Sequence, residues 1–334
     1  MEQVMISLKD VAAELDLSVS VVSRALNPSP DANARVAEKT RQRILEACQR
    51  LGYRHNRMAE FVKRRRFPGI GVFLPRKANS LIANLIFGIS EEAGDKDFPL
   101  LIHTGMDEES YRKFMLNNLD LSAGGIITYS VLQYHQPGLQ ELLQEYCDNG
   151  GKVLILNDCT AAGYTKLYMD EYHGGQLAAD MLLRAGCRNF FCLGEELCEE
   201  KHSSSNSVNQ MRYEGFRKQL QKHGAECRSV ASIETLTATL QKTPGSGVFA
   251  VSDLHALALM QRTEAAGLRA PEDFKLTGYD DMDWSGPVGL SSIRQPFCEE
   301  GRRAAAKIIE KIYGREEKDE AILPCAVPRK TTEC

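Results

Sequence analysis

Apolar residues in the first 55 positions recur at helical spacing in three stretches. Leu8, Val11, Ala12 and Leu15 form one stripe, Val22, Ala25 and Leu26 a second, and Ile44, Ala47, Cys48 and Leu51 a third. Ser7 with Asp10 reads as a capping box, because the two side chains can satisfy amides left free at a helix start, and Ser18 reads as a second N-cap. Between these two patterns only a short break at Asp16 and Leu17 remains, which predicts two short helices joined by a tight turn. Beyond Pro68 the period changes. Short apolar runs at 70–74, 100–103, 125–129, 153–156, 190–193, 248–251 and 274–279 alternate with amphipathic stretches at 81–93, 111–119, 139–149, 175–185, 210–223 and 254–266. Strands separated by helices of that length predict right-handed crossovers and parallel sheets, so the fold class is α/β with an all-α segment in front. About 250 residues of such alternation suffice for two lobes.

Composition divides the chain in the same place. Of 41 Lys and Arg, 13 lie in residues 1–66, against 8 of the 45 Asp and Glu, so a net charge of -4 conceals a basic front and an acidic remainder. A basic module suits a polyanion, although basic faces are often only solvated. The 10 cysteines are scattered and none has C-x-x-C spacing, which favours reduced thiols over a disulfide or zinc framework. The start MEQVMISLKD lacks a signal-peptide pattern, and no run approaches about 18 apolar residues. A cytoplasmic chain with no membrane role is expected.

On the second helix, Val19, Ser20, Ser23 and Arg24 oppose the apolar stripe. A helix-turn-helix presents such residues to the major groove, where small Ser and Val side chains allow close approach and Arg24 reaches a guanine edge or a phosphate. From spacing alone, an ordinary helical hairpin remains open. Catalytic motifs are missing: Gly69-Ile-Gly71 lacks the third glycine of a dinucleotide fingerprint, no Walker or Gly-x-Ser-x-Gly motif occurs, and the 7 histidines form no H-E-x-x-H pair. No enzymatic activity, cofactor or metal is expected. The rivals are a periplasmic-type solute-binding protein, which has no use for the basic front, and an enzyme of small polar substrates.

The segment from Leu8 through Glu14 and Leu15, then Leu17-Ser-Val-Ser-Val-Val-Ser-Arg-Ala-Leu-Asn27, resembles the DNA-binding domain of the LacI/GalR family of bacterial transcriptional regulators. The likeness continues through Thr40-Arg41, Leu51-Gly52-Tyr53 and Asn56, and then more thinly through Gly124-Gly125, Arg212-Tyr-Glu-Gly-Phe216, Ser252-Asp253, Gly278-Tyr-Asp-Asp281 and Ile293-Arg-Gln-Pro296. It implies a helix-turn-helix domain at 1–55, a hinge helix and linker at 56–68, and a two-lobed core like periplasmic sugar-binding proteins at 69–334. The lobes are expected at about 69–157 with 287–297, and about 158–286 with 298–334, joined by three chain crossings.

The resemblance also implies roles. Val19, Ser20 and Arg24 would read bases, while Ser7, Ser18, Ser23 and Asn27 would hold the phosphate backbone, with Asn56 at the start of the hinge. Val62 stands at the family's minor-groove wedge, but Glu60 and Phe61 replace its usual Arg and Ser, and Val21 its usual Thr. The run Lys63-Arg-Arg-Arg66 either neutralises phosphates or is a solvated linker. The loop 28–35, longer than usual in the family, is either a surface insertion or a further backbone contact through Asn33 and Arg35. The implied partners are operator DNA, a small-molecule effector of carbohydrate type, and a second copy of the chain through the helices at 81–93 and 254–266, with a tetramer left open.

Ligands of open α/β sheets bind beyond the carboxyl ends of the strands. That rule selects Asn79, Asn157, Asp158, Ser252, Asp253 and Asp280 as effector residues, and family position adds Arg212 and Phe297. Such Asp, Asn and Arg side chains fork onto neighbouring hydroxyls, and Phe297 or Trp284 suits a sugar face. Asp253 has a second reading, as the cap of a helix starting at Leu254. Ser252 stands where many sugar-sensing members carry Asn.

Overall fold

The computed structural model describes residues 6–26, 36–53, 69–76, 79–129, 137–159, 162–194 and 208–333. Three helices come first: α1 (Leu8–Glu14), α2 (Val19–Ala25) and α3 (Glu38–Leu51). Helices of seven residues do not stand alone in water, so tertiary packing must hold them. The three apolar stripes supply it, burying Val11, Ala12, Val22, Ala25, Ile44, Ala47 and Cys48 in one core. Asp16, at φ 52°, makes the left-handed step between α1 and α2, and the Leu17 amide donates to the Ala12 carbonyl at 2.9 Å.

The first sheet is parallel and contains β1 (Ile70–Pro75), β2 (Leu100–Gly105), β3 (Gly125–Tyr129), β4 (Lys152–Leu156), β5 (Thr165–Met169) and β11 (Glu320–Ile322). Its order is β11-β5-β4-β3-β1-β2. Alternation along β1 fills two cores. Ile70, Val72 and Leu74 meet α4 (Ser80–Asp95) and α11 (Phe297–Ile312), while Phe73 meets α5 (Glu108–Asp120) and α6 (Pro137–Asp148) on the other face. α4 and α11 touch backbone to backbone: a Cβ placed on Gly88 would come 1.9 Å from the Cys298 carbonyl oxygen.

The second sheet holds β6 (Asn189–Leu193), β7 (Cys227–Val230), β8 (Ser246–Ala250) and β9 (Phe274–Thr277) in the order β7-β6-β8-β9, again parallel. α7 (Glu171–Arg184) and α8 (Val208–Lys222) cover Phe190, Cys192 and Phe249, whereas α9 (Ile233–Leu240) and α10 (Asp253–Ala265) cover Phe191, Leu193 and Val248. The α7–α8 contact is as close as that of α4 with α11, since a Cβ on Gly215 would come 1.9 Å from the Tyr172 carbonyl oxygen. β10 (Ser292–Arg294) and β12 (Cys325–Val327) form an antiparallel pair beside β9.

The sheets divide the chain differently from the boundaries drawn at 157/158 and 297/298. β5 and β11 hydrogen-bond into the first sheet, and α11 packs against α4. The first lobe therefore runs from β1 through Met169 and resumes with α11 and β11. β5 escaped the sequence reading because only Leu167 and Met169 of its five residues are buried. Among the described residues the chain passes between lobes at Asp170, at Gln295-Pro296 and at Leu323-Pro324, and the first and last passes are tied by the Asp170 amide donating to the Ile322 carbonyl at 2.9 Å. No helix among the described residues is long and apolar enough to cross a membrane.

Candidate functional site

At the N-terminal end, the Asp10 carboxylate accepts both the backbone amide and the hydroxyl of Ser7 at 2.7 Å. These hydrogen bonds hold its carboxyl below the ordinary value. Ser18 caps α2, its hydroxyl accepting from the Val21 amide at 3.4 Å and meeting the Ser20 hydroxyl at 3.0 Å. With Val22 and Ala25 turned into the core, α2 exposes Val19, Ser20, Ser23 and Arg24. Val19 is 42% exposed. Arg24 Nε donates to the Ser20 carbonyl one turn earlier at 3.0 Å, which lays its stem along the exposed face. Ser7 and Ser18 are exposed at the two helix starts. Asn27, Asn56, Val62 and the loop 28–35 lie outside the described residues.

A cavity of about 390 Å³ lies between the lobes, within the usual size range of small-molecule sites. The first lobe contributes Ser80, Leu81 and Asn84 from the start of α4, and the second contributes Asp280 through Asp283 from the segment after β9. Arg294, Gln295, Pro296 and Phe297 enter from the second crossing, and Arg329 from beyond β12. This is the carboxyl side of β1 and β9. A cavity of about 320 Å³ beside Gln144, Cys147, Lys152, Tyr164 and Lys311 sits instead at the amino end of β4.

Of the effector residues chosen on the sequence, Asp280 and Phe297 line the 390 Å³ cavity. Asn79 adjoins it as the N-cap of α4, with its side-chain oxygen accepting from the Ile82 amide at 3.0 Å. The others are placed elsewhere. Asn157, at φ 52°, donates to the Tyr129 hydroxyl at 3.1 Å and accepts from the Met169 amide at 3.0 Å, so it ties together the ends of β3, β4 and β5. Asp158 follows it, half-buried and outside the lining. Ser252 caps α10, accepting from the His255 amide at 3.4 Å and meeting the His255 ring nitrogen at 2.7 Å.

Arg212 is fully engaged behind the cavity. Its Nε and Nη2 donate to the two Glu171 oxygens at 2.7 and 3.0 Å, Nη1 donates to the Val251 carbonyl at 2.8 Å, and the guanidinium lies 3.8 Å over the Tyr279 ring. Burial works against its charge, yet the Glu171 and Asp280 carboxylates hold its pKa above the ordinary arginine value. Asp280 Oδ1 accepts from Gln295 at 2.7 Å and stands 3.6 Å from Arg212. Burial pushes the Asp280 carboxyl up to about 7 against the pull of Arg212.

Asp253 is neither the cap of α10 nor a wall of the cavity. Sealed from solvent, it accepts from the Met282 amide at 2.9 Å, the Ser285 hydroxyl at 2.5 Å and the Ser292 hydroxyl at 2.6 Å. It thereby fixes the segment bearing Asp280 and Asp281, whose φ angles of 110° and 53° are strained for non-glycine residues. Burial raises its own carboxyl pKa, opposed by those three donors.

The sequence reading missed Asp281, Arg294, Gln295 and Arg329 as a group. Asp281 pairs with Arg294 at 2.7 Å and with Arg329 at 2.6 Å. The two arginine partners lie 13 and 48 positions from Asp281, so no local spacing could reveal them; the Arg294-Gln295-Pro296 sequence at the crossing was the available signal.

Two family models match the chain: "Bacterial regulatory proteins, lacI family" over residues 7–56, and "Periplasmic binding protein-like domain" over residues 179–332. The ribose operon repressor of Bacillus subtilis is 27% identical, covering 98% of this chain and 99% of that protein. The HTH-type transcriptional repressor PurR of Vibrio vulnificus is 25% identical over 93% of each. Among solved structures, a lac repressor dimer bound to operator and the anti-inducer ONPF matches with a TM-score of 0.68 at 21% identity, covering 99% of this chain and 100% of its own. A LacI family regulator from Enterococcus faecium with bound ribose matches with a TM-score of 0.64 at 22% identity, over 79% of this chain and 98% of its own. The chain therefore joins a segment that matches the lacI family of bacterial regulatory proteins to one that matches a periplasmic-binding-protein-like domain, a lacI-type helix-turn-helix in front of a periplasmic-binding-protein-like core.

Proposed function

We propose that the protein is a transcriptional repressor that binds operator DNA as a homodimer and changes its operator affinity when a carbohydrate-like effector enters the cavity between the lobes. The observation that carries this reading is the exposed face of α2, with Val19, Ser20, Ser23 and Arg24, in one chain with a two-lobed core that encloses a cavity. Residues 1–55 are the DNA-binding domain, 56–68 the hinge and linker, and the rest the effector and dimer domain. Val19, Ser20 and Arg24 read bases, while Ser7, Ser18, Ser23, Asn27 and Asn56 position the backbone. The effector meets Asp280 and Phe297 directly, with Asn79 at the cavity edge; Asn157, Arg212 and Ser252 brace its walls, and Asp158 stands next to Asn157. Names of relatives support the same reading, since they include repressors of a ribose operon and of the PurR type. The family is one of regulators, and no catalytic role is assigned.

Dimerisation through α4 and α10 is supported by exposed apolar side chains on both: Phe87 is 60% and Leu254 64% exposed. Ligand closure of the lobes would then shift that interface, and the coupling is reciprocal, so DNA changes effector affinity by the factor with which effector changes DNA affinity. The test is a gel shift of the full chain on its operator with and without sugars. Specific binding that responds to a sugar is expected; retained operator binding after removal of residues 1–66 would refute the domain assignment.

A further inference from the structure

We infer that the cavity of about 320 Å³ at the amino end of β4 is a second ligand site, built for the phosphate group of a small phosphorylated metabolite. It is independent of the effector reading, because its lining shares no residue with the cavity between the lobes. Strand register locates it. Lys152 in β4 is level with Gly125 in β3, and Gly125 with Ile70, the first residue of β1. The site therefore stands two strands, roughly 10 Å, from the point where the chain enters the core from residues 56–68. Asn157 and the effector cavity lie at the opposite end of the sheet.

Two ammonium groups meet there. Lys152 begins β4, and Lys311 lies in the last turn of α11, whose Ile308 and Ile312 pack closely on Gly125. Lys311 Nζ donates to the Thr165 hydroxyl at 2.6 Å, which fixes its position. The carboxylates of this end are spent on other cations: Glu317 and Glu320 on Lys307 at 3.0 and 2.9 Å, Glu320 also on Arg303, and Asp319 on Lys166 at 3.1 Å. Asp148, at the end of α6, accepts from the Gln144 amide at 2.8 Å. Lys152 and Lys311 form no ion pair among the described residues. Burial lowers the Lys311 pKa and Lys152 pushes it the same way, against smaller opposing effects of Cys147, Glu317 and Asp319.

Like charges held together in a concave surface repel until an anion stands between them. Lysines bind phosphate as point charges, and a phosphate monoester carries close to two negative charges. A carboxylate is better matched by an arginine fork, and the lining contains no arginine. At about 320 Å³ the cavity falls in the range of small-molecule sites, with the Tyr164 ring, Val153 and the Gln144 amide along it for the body of the molecule.

The probes are inorganic phosphate, D-glucose 6-phosphate, D-ribose 5-phosphate, 3-phosphoglycerate, D-glucose and succinate, each titrated into the full chain at neutral pH. Acetylation by an N-hydroxysuccinimide ester, read by peptide mass spectrometry, reports every lysine separately, so phosphate taken up by the basic residues 1–66 is not confused with this site. A phosphate ester is expected to slow the labelling of Lys152 and Lys311 together, at lower concentration than inorganic phosphate does, while D-glucose and succinate leave it unchanged. In Lys152→Gln the ester concentration that protects Lys311 should rise at least about tenfold, and Lys152→Arg, which keeps the charge, should restore most of the loss. The wild-type measurement needs no variant, so it stands even if a substitution disturbs folding. Unchanged labelling of both lysines with every phosphate probe overturns the site. Protection by succinate equal to that by the esters overturns the phosphate class, and protection by D-glucose overturns the need for an anion. Esters that protect no better than inorganic phosphate overturn the metabolite. Undiminished protection of Lys311 in Lys152→Gln overturns the pairing of the two lysines as the anion's cradle.

Discussion

Arg212 and Glu171 join α8 to the start of α7 in a two-point pair, with both side chains at most 7% exposed. Removing one partner of such a pair leaves the other charge buried and alone, which costs about 3–5 kcal/mol, whereas replacing both with apolar groups is often near neutral. Arg212→Ala and Glu171→Ala are each expected to lower the unfolding free energy obtained from urea titration by that amount. The double variant Arg212→Met with Glu171→Leu should recover most of it. Single variants that cost under about 1 kcal/mol would mean that water reaches the pair.

Glu300, in the first turn of α11, is sealed from solvent, with neither carboxyl oxygen hydrogen-bonded at normal length. Asn157 favours its charged form, Glu171 opposes it, and Tyr129 lies in the same field. Burial dominates and raises its carboxyl from 4.5 to about 8. Because the folded value exceeds the unfolded one, this group's stability contribution is complete below pH 4.5 and is lost as pH rises through 8. Glu300→Gln should remove a slope of about 1.4 kcal/mol per pH unit across that window. Urea titrations at several pH values check this, and parallel wild-type and Gln curves would refute it.

Arg24 is exposed on α2 next to Ser20 and Ser23. If it reads a base, Arg24→Ala should cost about 1–3 kcal/mol at the specific operator and relax the preference at one position. Binding titrations on operator and scrambled duplexes separate the cases, since an equal loss on both would make it a phosphate contact.

Ser18 supports that face through the cap of α2. Ser18→Ala should destabilise the three-helix domain by about 1 kcal/mol. Hydrogen exchange of the α2 amides would report it, and unchanged protection at Val21 would show that the cap contributes nothing.

Val62, with one carbon fewer than leucine, is the residue to which the resemblance assigns a minor-groove wedge. Val62→Leu should increase the bend of operator DNA, measured by circular permutation mobility, and an unchanged bend would count against a wedge role.

The helix-turn-helix was legible because its signals are local: the Ser7–Asp10 box, the Ser18 cap and three stripes that pack as read. Seven strands of the two lobes were legible too, because each carries a continuous apolar run, buried in most of them as in Ile70 to Leu74, though in β2 only Gly105 is buried. β7 was not, because Cys227 to Val230 lies at a sheet edge with none of its four residues fully buried, and three-residue strands such as β11 carry no period. At the cavity, the carboxyl-end rule found the right region. It could not say which polar residue there would be spent on the fold, and Asn157, Ser252 and Arg212 are all hydrogen-bonded within it. Whether a polar side chain is free depends on partners distant in sequence, as Arg329 is from Asp281.

The three donors gathered by Asp253 bear on how a ligand is felt. Met282 belongs to the cavity wall and Ser285 lies buried just behind it, whereas Ser292 begins β10, the strand that leads into the second crossing. Wall and connector are thus pinned to the same buried oxygen pair at the head of α10. A flap folding down over a bound molecule would have to tear them apart. A displacement on this side therefore carries the wall, the connector and the head of α10 together, and with them the exposed Leu254.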